Sequence, residues 1–136
     1  MGVKLFDMKD IIQYSKKYSN KNLSDMTLIE LGEGEFKVFN DEFDDELIKT
    51  FLNSNPRKWP KKCPKGRIGL YSKDFLQMIF NNVISIDIVS TCPKTLNINL
   101  IHDINDKKLN KQFDILTNFG TTEHVGQYDN IFENHL

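Results

Sequence analysis

The sequence contains no long apolar segment. Its apolar runs are far shorter than the roughly 20 residues that a membrane-spanning helix needs. The N-terminal residues include an early acid, Asp7, and no extended apolar stretch, so they do not resemble a secretory signal. We therefore expect a cytoplasmic protein without a membrane segment.

Cysteine, histidine and net charge are also scarce. Cys63 and Cys92 are too far apart for a C-x-x-C motif, which favours free thiols in a reducing compartment. The histidines show no tight ligand spacing, so no metal site is expected; they are His102, His124 and His135. The net charge of −1 gives no general reason to expect a nucleic-acid partner.

One local segment is basic. Residues 57–67 surround Trp59 with lysines, arginines and prolines, and such a segment could contact phosphate and stack on a base. A solvated loop is the more common role for this composition, and the acids at 41–46 could offset its charge. We therefore do not expect nucleic acid as a partner.

The chain has enough apolar sequence for one folded domain. Its 136 residues are 39% hydrophobic and 27% charged, as in globular proteins. A helical pattern near the N-terminus is followed by strand-like runs at 26–31, 83–88, 96–100 and 113–117. Strands that alternate with helices predict an α/β fold with a Rossmann-like, mostly parallel sheet of about four strands and flanking helices.

The predicted organisation is a single domain, 1–136, with an N-terminal helix within 1–25. Between the first two strands lies a long insertion at 36–71, which reads as a short helix followed by the basic loop. Ser72 is expected to cap the next helix.

The first candidate site is the segment LIELGEG at 28–34. Glu30 lies at the end of a strand, and Gly32 and Gly34 would let the backbone approach a ligand closely. An ordinary turn between elements, with solvated glutamates, explains the same spacing equally well.

A dinucleotide fits this loop poorly. Lys37 stands where the third glycine of G-x-G-x-x-G is required, and Glu33 and Glu35 would repel a pyrophosphate. S-adenosylmethionine carries a positive centre and an amino group, so it would tolerate these acids. Glu30 could then face its ammonium group, directly or through water.

The second candidate is Asp87, the one acid on an otherwise apolar strand. A carboxylate at the end of such a strand can accept two hydrogen bonds from a ribose diol. A cap on the following loop is the structural alternative, and the strand context favours the ribose role.

The third candidate is the segment FDILTNFGTTEHV at 113–125, in which a strand passes into a helical pattern. Asn118 and Gly120 lie where the strand ends, at the edge where α/β sheets bind ligands. The following threonines can cap a helix. His124 could act as a general base, but packing or capping is the commoner role for such a histidine, so no catalytic residue is assigned.

These motifs, in this order, resemble the class I, Rossmann-like S-adenosylmethionine-dependent methyltransferases. LIELGEG is similar to their first glycine motif, NVISIDI to their second strand, and FDILTNFGTTEHV to their fourth strand and the next helix start. The resemblance covers about 26–35 and 72–136, and its last motif is the most specific. One little-characterised subgroup pairs S-I-D with N-F-G-T-T-E-H-V.

The resemblance implies S-adenosyl-L-methionine as cofactor and an unknown methyl acceptor. It places the methionine end of the cofactor at Glu30, Gly32 and Gly34, the ribose at Asp87, the adenine near 100–103, and the methyl-transfer face at Asn118 and Gly120. Asn118 is not followed by Pro-Pro-aromatic, so methylation of amino groups on DNA bases is not implied.

In this family the fourth strand is internal to the sheet. The sequence therefore predicts the N-terminal, cofactor-binding half of a methyltransferase, one that a longer chain, a partner chain or self-association through an exposed sheet edge would complete. A non-catalytic Rossmann-like binding or interaction module is the alternative function. A nicotinamide-dinucleotide domain is a third possibility, which Lys37 and the glutamates weaken.

Overall fold

The computed structural model describes residues 2–32, 34–58, 67–87, 95–97 and 113–119. In chain order, its strands and helices are β1 (Gly2–Lys4), α1 (Leu5–Tyr18), β2 (Thr27–Leu31), β3 (Glu35–Phe39), α2 (Glu46–Asn53), β4 (Arg67–Tyr71), α3 (Ser72–Leu76), β5 (Asn82–Asp87), β6 (Thr95–Asn97) and β7 (Ile115–Asn118). Two short 3-10 turns, Leu23–Asp25 and Asn40–Glu42, precede β2 and α2.

A four-stranded parallel sheet is the centre of the fold. Its spatial order is β6–β5–β2–β7, and every neighbouring pair is parallel. Numbered along the chain, these strands have the order 3-2-1-4 that begins a Rossmann sheet. The predicted α/β fold with a Rossmann-like parallel sheet is therefore confirmed, and the third strand lies at one edge of the described sheet.

A second, three-stranded sheet was not foreseen from the sequence. Its order is β1–β3–β4, with β1 parallel and β4 antiparallel to β3. The sequence predicts only helix and loop within 36–71, and this prediction is wrong for β3 and β4. In β3, Phe36 and Val38 are fully buried and alternate with Lys37, which is the two-residue period of a strand.

Helix α1 is the predicted N-terminal helix. Its first turn contains Asp7, whose side chain accepts a hydrogen bond from the Lys4 backbone N–H at 2.8 Å. This bond satisfies an unpaired amide, and the negative charge suits the positive end of the helix. Lys16 and Lys17 lie in the last turn, where cations are favoured. Met8 is fully buried and anchors the helix to the core.

Helix α2 begins at two acids, Asp45 and Glu46. The side chain of Asp45 accepts a hydrogen bond from the Leu47 backbone N–H at 2.9 Å and so caps the helix. The helix ends at Asn53, two residues before Asn55 and Pro56, and a proline disfavours helical backbone in the residue that precedes it.

Ser72 does not cap helix α3. The capping position is held by Tyr71, and Ser72 is the first residue inside the helix. Its hydroxyl instead donates to the buried carboxylate of Glu30 and to the Gly34 carbonyl oxygen. The prediction of a capping serine is therefore wrong, because a tertiary partner takes the hydroxyl.

One apolar cluster joins both sheets and all three helices. At its centre the rings of Phe36, Phe51 and Phe75 pack against each other, with centroids 4.8–5.7 Å apart. Leu28 and Val83 contribute from the parallel sheet. The opposite face of that sheet carries a smaller cluster, built on Ile29, Leu31 and Ile86. Apolar residues on both faces are typical of parallel strands.

Several predicted features lie outside the described residues. They are the helix after residue 120, the second half of the strand at 96–100, and the basic segment around Trp59.

Candidate functional site

The carboxyl ends of the parallel strands bring the candidate residues to one edge of the sheet. In the register, Leu31 lies opposite both Ile86 and Asn118. The Gly32 backbone N–H donates to the Ile86 carbonyl oxygen at 2.7 Å, so the glycine loop begins beside Asp87. Of the predicted site residues, the structure thus gathers Glu30, Gly32, Gly34, Asp87 and Asn118 near this edge.

The strand order creates a switch point at the same edge. The second and third strands lie on one side of β2, whereas β7 lies on the other side. In open α/β sheets, ligands bind outside the carboxyl ends of the strands where the order reverses in this way. The crevice defined by this rule lies between the ends of β2 and β7.

Four polar residues form a row across the parallel sheet. Glu30 lies opposite Ser85 on one side and Thr117 on the other, and Ser85 lies opposite Thr95. All four are buried. Because side chains alternate along a strand, Asp87 shares the face of this row, whereas Asn118 lies on the opposite face.

Glu30 is the centre of a buried hydrogen-bond network. Its side chain is 2% exposed. One carboxylate oxygen accepts from the Ser72 hydroxyl, and the other accepts from the Ser85 hydroxyl at 2.6 Å. Burial raises the pKa of this carboxyl, while the two serines, the charge of Lys73 and a backbone hydrogen bond from Gly34 act in the opposite direction.

This network defines the place of Glu30 at the site. The carboxylate oxygens are held by side chains of α3 and β5, beneath the glycine loop. In this arrangement Glu30 supports the loop from inside, and its burial leaves almost none of its surface accessible to a ligand.

The structure explains why glycine occurs at both positions of the loop. Gly32 has a φ of 82°, a left-handed conformation that residues with a side chain rarely adopt. At Gly34, a Cβ atom would lie 2.7 Å from Glu30 Oε1 and would also meet the Ser72 hydroxyl. Both positions therefore favour glycine, with or without a ligand.

The two ends of the insertion between β2 and α3 lie next to each other, at Gly34 and Ser72. The Ser72 backbone N–H donates to the Gly34 carbonyl oxygen at 3.0 Å, and the Ser72 hydroxyl approaches the same oxygen at 3.1 Å. Helix α3 thus starts beside the glycine loop, as it would if β2 led directly into it. The intervening segment, 35–71, adds β3, α2 and β4 without separating the loop from its helix.

Asp87 and Asn118 end the flanking strands. Asp87 is half-buried, is the last residue of β5, and lies opposite Asn97 of β6. Asn118 is exposed and is the last residue of β7. Gly120, the adenine segment 100–103 and His124 lie outside the described residues.

Sequence reasoning missed the polar partners of Glu30. Ser72 was assigned a capping role, and Ser85, Thr95 and Thr117 received none. The available signal was the alternation along β5 and β7, since Ser85 follows Val83, and Thr117 follows Ile115, on the same side of each strand. Within the described residues, the Oγ1 atoms of Thr95 and Thr117 have no hydrogen-bond partner.

The fold and this edge define a Rossmann-like α/β protein with a polar site at its switch point. The chain matches no family model, and searches of curated proteins and of solved structures returned no significant match. Among the helices that the structure describes, none is long and apolar enough to cross a membrane.

Proposed function

We propose that this protein is the cofactor-binding portion of an S-adenosylmethionine-dependent methyltransferase that acts in the cytoplasm. The observation that carries the proposal is the junction of Gly32 and Asp87. A left-handed glycine and a half-buried carboxylate meet at the ends of two adjacent strands, next to the switch point of a 3-2-1-4 sheet. Such an edge suits a nucleoside with a polar extension.

The local charge favours S-adenosylmethionine over a dinucleotide. A dinucleotide fingerprint opens a helix, and its pyrophosphate lies at the helix N-terminus. Here Gly34 leads into strand β3, and the Glu30 carboxylate already bonds to the first residue of α3. An anionic ligand at the start of α3 would be repelled by that charge, whereas a ligand with a positive centre would be attracted towards it without contacting it.

The proposed roles follow the positions at the edge. Asp87 would accept hydrogen bonds from the ribose, and the backbone at Gly32 and Gly34 would hold the methionine end. Asn118 would border the methyl-transfer face. Glu30 would hold the loop in place rather than contact the ligand, because it is buried and bonded to Ser72 and Ser85. The cofactor would supply a methyl group on a sulfonium centre, and the acceptor is not assigned.

A non-catalytic binding or interaction module is the second candidate. It is favoured because Glu30 and both glycines have structural roles in the fold. The fold would need those residues even if no cofactor bound. Strand β7 pairs only with β2 among the described strands, so a partner chain or a second copy could add a strand beside it.

Calorimetry separates these candidates. S-adenosylmethionine, its demethylated product S-adenosylhomocysteine and NAD⁺ are titrated into the chain under the same conditions. We expect the first two to bind and NAD⁺ to bind far more weakly. Asp87→Ala should weaken binding of both by about 1–3 kcal/mol, the loss typical of a hydrogen-bonded charged group.

The matched control is Asp25→Ala. Asp25 is an exposed acid at the opposite end of β2, so its loss changes the net charge without touching the site. If the folded chain binds neither S-adenosylmethionine nor S-adenosylhomocysteine in the millimolar range, the methyltransferase proposal is ruled out. The non-catalytic module is then the remaining candidate. Equal effects of Asp87→Ala and Asp25→Ala would remove the ribose role of Asp87.

A further inference from the structure

A groove separates the N-terminal helix from the fourth strand of the parallel sheet. It lies between α1 and β7 and has a volume of about 330 Å³. This volume is within the range of sites that bind small molecules. We call it the α1–β7 groove.

The α1–β7 groove has an apolar interior. Ile11 and Tyr14 line it from the helix, and Ile115 and Phe119 line it from β7 and the residue that follows. Ligand sites typically combine such apolar walls with a few polar groups that fix orientation. An apolar or aromatic molecule would therefore be desolvated favourably here.

The polar groups of the groove carry negative charge. Asp7 and Asp10 lie on α1 near its N-terminus, and no lysine or arginine occurs among the described residues that line the groove. Asp7 is partly committed, because its side chain accepts the Lys4 backbone N–H. Asp10 is exposed and makes no ion pair with any residue that the structure describes.

The neighbouring cation does not neutralise Asp10. Lys9 bonds to Asp45, the residue that caps α2, and so lies away from the groove. Tyr14, one turn after Asp10, also lines the groove and is 54% exposed, and its ring stacks on that of Tyr18 with the centroids 6.1 Å apart. An acid next to an aromatic ring attracts an ammonium group both by charge and by a cation–π interaction.

We propose that the α1–β7 groove binds small molecules that combine an apolar or aromatic body with a protonated amine. The body lies between Ile11 and Phe119, and the ammonium group lies at Asp10. Asn118 belongs both to this groove and to the predicted methyl-transfer face, so the bound amine lies beside that face. The inference concerns binding alone and does not depend on the cofactor proposal, because its test contains no cofactor.

The test is an NMR titration of the isotope-labelled chain with two probes that share a phenylethyl body and carry opposite charges. These are 2-phenylethylamine, which is cationic at neutral pH, and 3-phenylpropionate, which is anionic. We expect the amine to shift the amide signals of α1 and β7 and to bind at least about fivefold more tightly than the acid, the effect of one ion pair close to water.

Substitutions at Asp10 locate the charge. Asp10→Asn should weaken amine binding by about fivefold, and Asp10→Lys should reverse the preference so that the acid binds more tightly. Asp25→Asn, an exposed acid outside the groove, should leave both affinities unchanged. Because Asp10 is exposed, neither substitution disturbs the core.

Three results would overturn the proposal, and the first two need only the unaltered chain. They are equal affinity for the two probes, no binding of the amine in the millimolar range, and amine binding that Asp10→Asn does not weaken. If the amine binds but S-adenosylmethionine does not, the groove stands and the methyltransferase proposal fails. If S-adenosylmethionine binds but the amine does not, only the proposal for the α1–β7 groove fails.

Discussion

Glu30 is the residue on which the centre of the molecule depends. A carboxylate that is 2% exposed, in a strand between two other parallel strands, would be strongly destabilising without partners. The hydroxyls of Ser72 and Ser85 supply them from a helix and a neighbouring strand. Glu30 therefore connects the glycine loop, α3 and β5 through one side chain.

The pKa of Glu30 predicts a pH-dependent stability difference. Burial is the largest influence and raises this pKa above its ordinary value of 4.5. The folded state then binds the proton more tightly than the unfolded state, so the stabilisation is full below that value and is lost as pH rises through the folded pKa. Relative to Glu30→Gln, the unaltered chain should lose up to about 1.4 kcal/mol per pH unit in this window.

Denaturant unfolding of both proteins between about pH 4 and pH 8 measures this difference. Taking the difference between them cancels the titration of all other acids. A constant difference across the range would contradict a raised pKa. If instead the unaltered chain loses stability relative to Glu30→Gln as the pH falls, the pKa of Glu30 is lowered. The serines and Lys73 then outweigh burial.

Gly34 is predicted to be the less replaceable of two crowded glycines. In Gly34→Ala, the new methyl group would meet the Ser72 hydroxyl and lie 2.7 Å from Glu30 Oε1, both parts of a buried network. We expect a loss of about 1–3 kcal/mol in the free energy of unfolding, as for overpacking in a core.

Gly2→Ala is the matched control for that substitution. Its methyl group would meet only the side-chain carbons of Lys37, a flexible chain that can move aside. We expect a change within about 0.5 kcal/mol. Similar losses in the two variants would show that the Glu30 network does not restrict the space at Gly34.

At the scale of elements, Asp114 ties the start of β7 to the start of β2. Its side chain accepts the Thr27 backbone N–H at 3.0 Å, and its own N–H donates to the Thr27 carbonyl oxygen at 2.9 Å. Lys21, in the loop after α1, bonds to the same carboxylate at 2.8 Å. Three elements thus meet at one residue, at the end of the sheet opposite the candidate site.

Asp114→Asn should weaken this junction modestly. The loss should be below about 1 kcal/mol, because the Lys21 side chain is 57% exposed and water screens the pair. The hydrogen bond from Lys21, followed by that from Thr27, lowers the pKa of Asp114 below its ordinary value of 3.8. Its stabilisation is therefore present above that value and lost as pH falls through the folded pKa.

Amide hydrogen exchange at Thr27 measures the effect at the bond itself. Faster exchange in Asp114→Asn at neutral pH, and convergence of the two proteins at low pH, are expected. Asp25→Asn removes an exposed acid near the same end of β2 and should leave Thr27 unchanged. If Asp114→Asn also leaves Thr27 exchange unchanged, Asp114 does not hold β7 to β2.

At the scale of the molecule, the two sheets share one core. Phe36 belongs to the smaller sheet, yet its ring packs on Phe51 of α2 and Phe75 of α3, within the cluster that contains Leu28 and Val83 of the parallel sheet. The insertion at 35–71 is therefore part of the same folding unit as the sheet that carries the candidate site.

Phe36→Ala should consequently destabilise both sheets together. We expect a loss of about 3–5 kcal/mol, the cost of a large buried cavity. Hydrogen exchange should show that amides of β2 and β5 lose protection along with those of β3. Phe6→Ala removes a ring that is 60% exposed and should change stability by less than about 0.5 kcal/mol. Retained protection in the parallel sheet would mean that the insertion unfolds separately.

The sequence predicted the elements with strong local patterns. The apolar runs of β2, β5 and β7 and the stripes of α1 and α2 were found, because each pattern spans several residues of one element. Strands β1, β3 and β4 were missed, since β1 is only three residues long and β4 follows the basic loop. Of the candidate site, the residues that end strands were found, but their hydrogen-bond partners were not.

By itself, the sequence determined the fold class and the edge at which polar residues collect, because periodicity and strand-end residues are local properties. Only the tertiary structure decided that Glu30 forms a buried hydrogen-bond network beneath the glycine loop. Strand register placed Ser85 beside it, and the return of the chain at Ser72 closed the network beneath Gly34. Those contacts join residues far apart in the chain, and local pattern contains no information about which distant residues will meet.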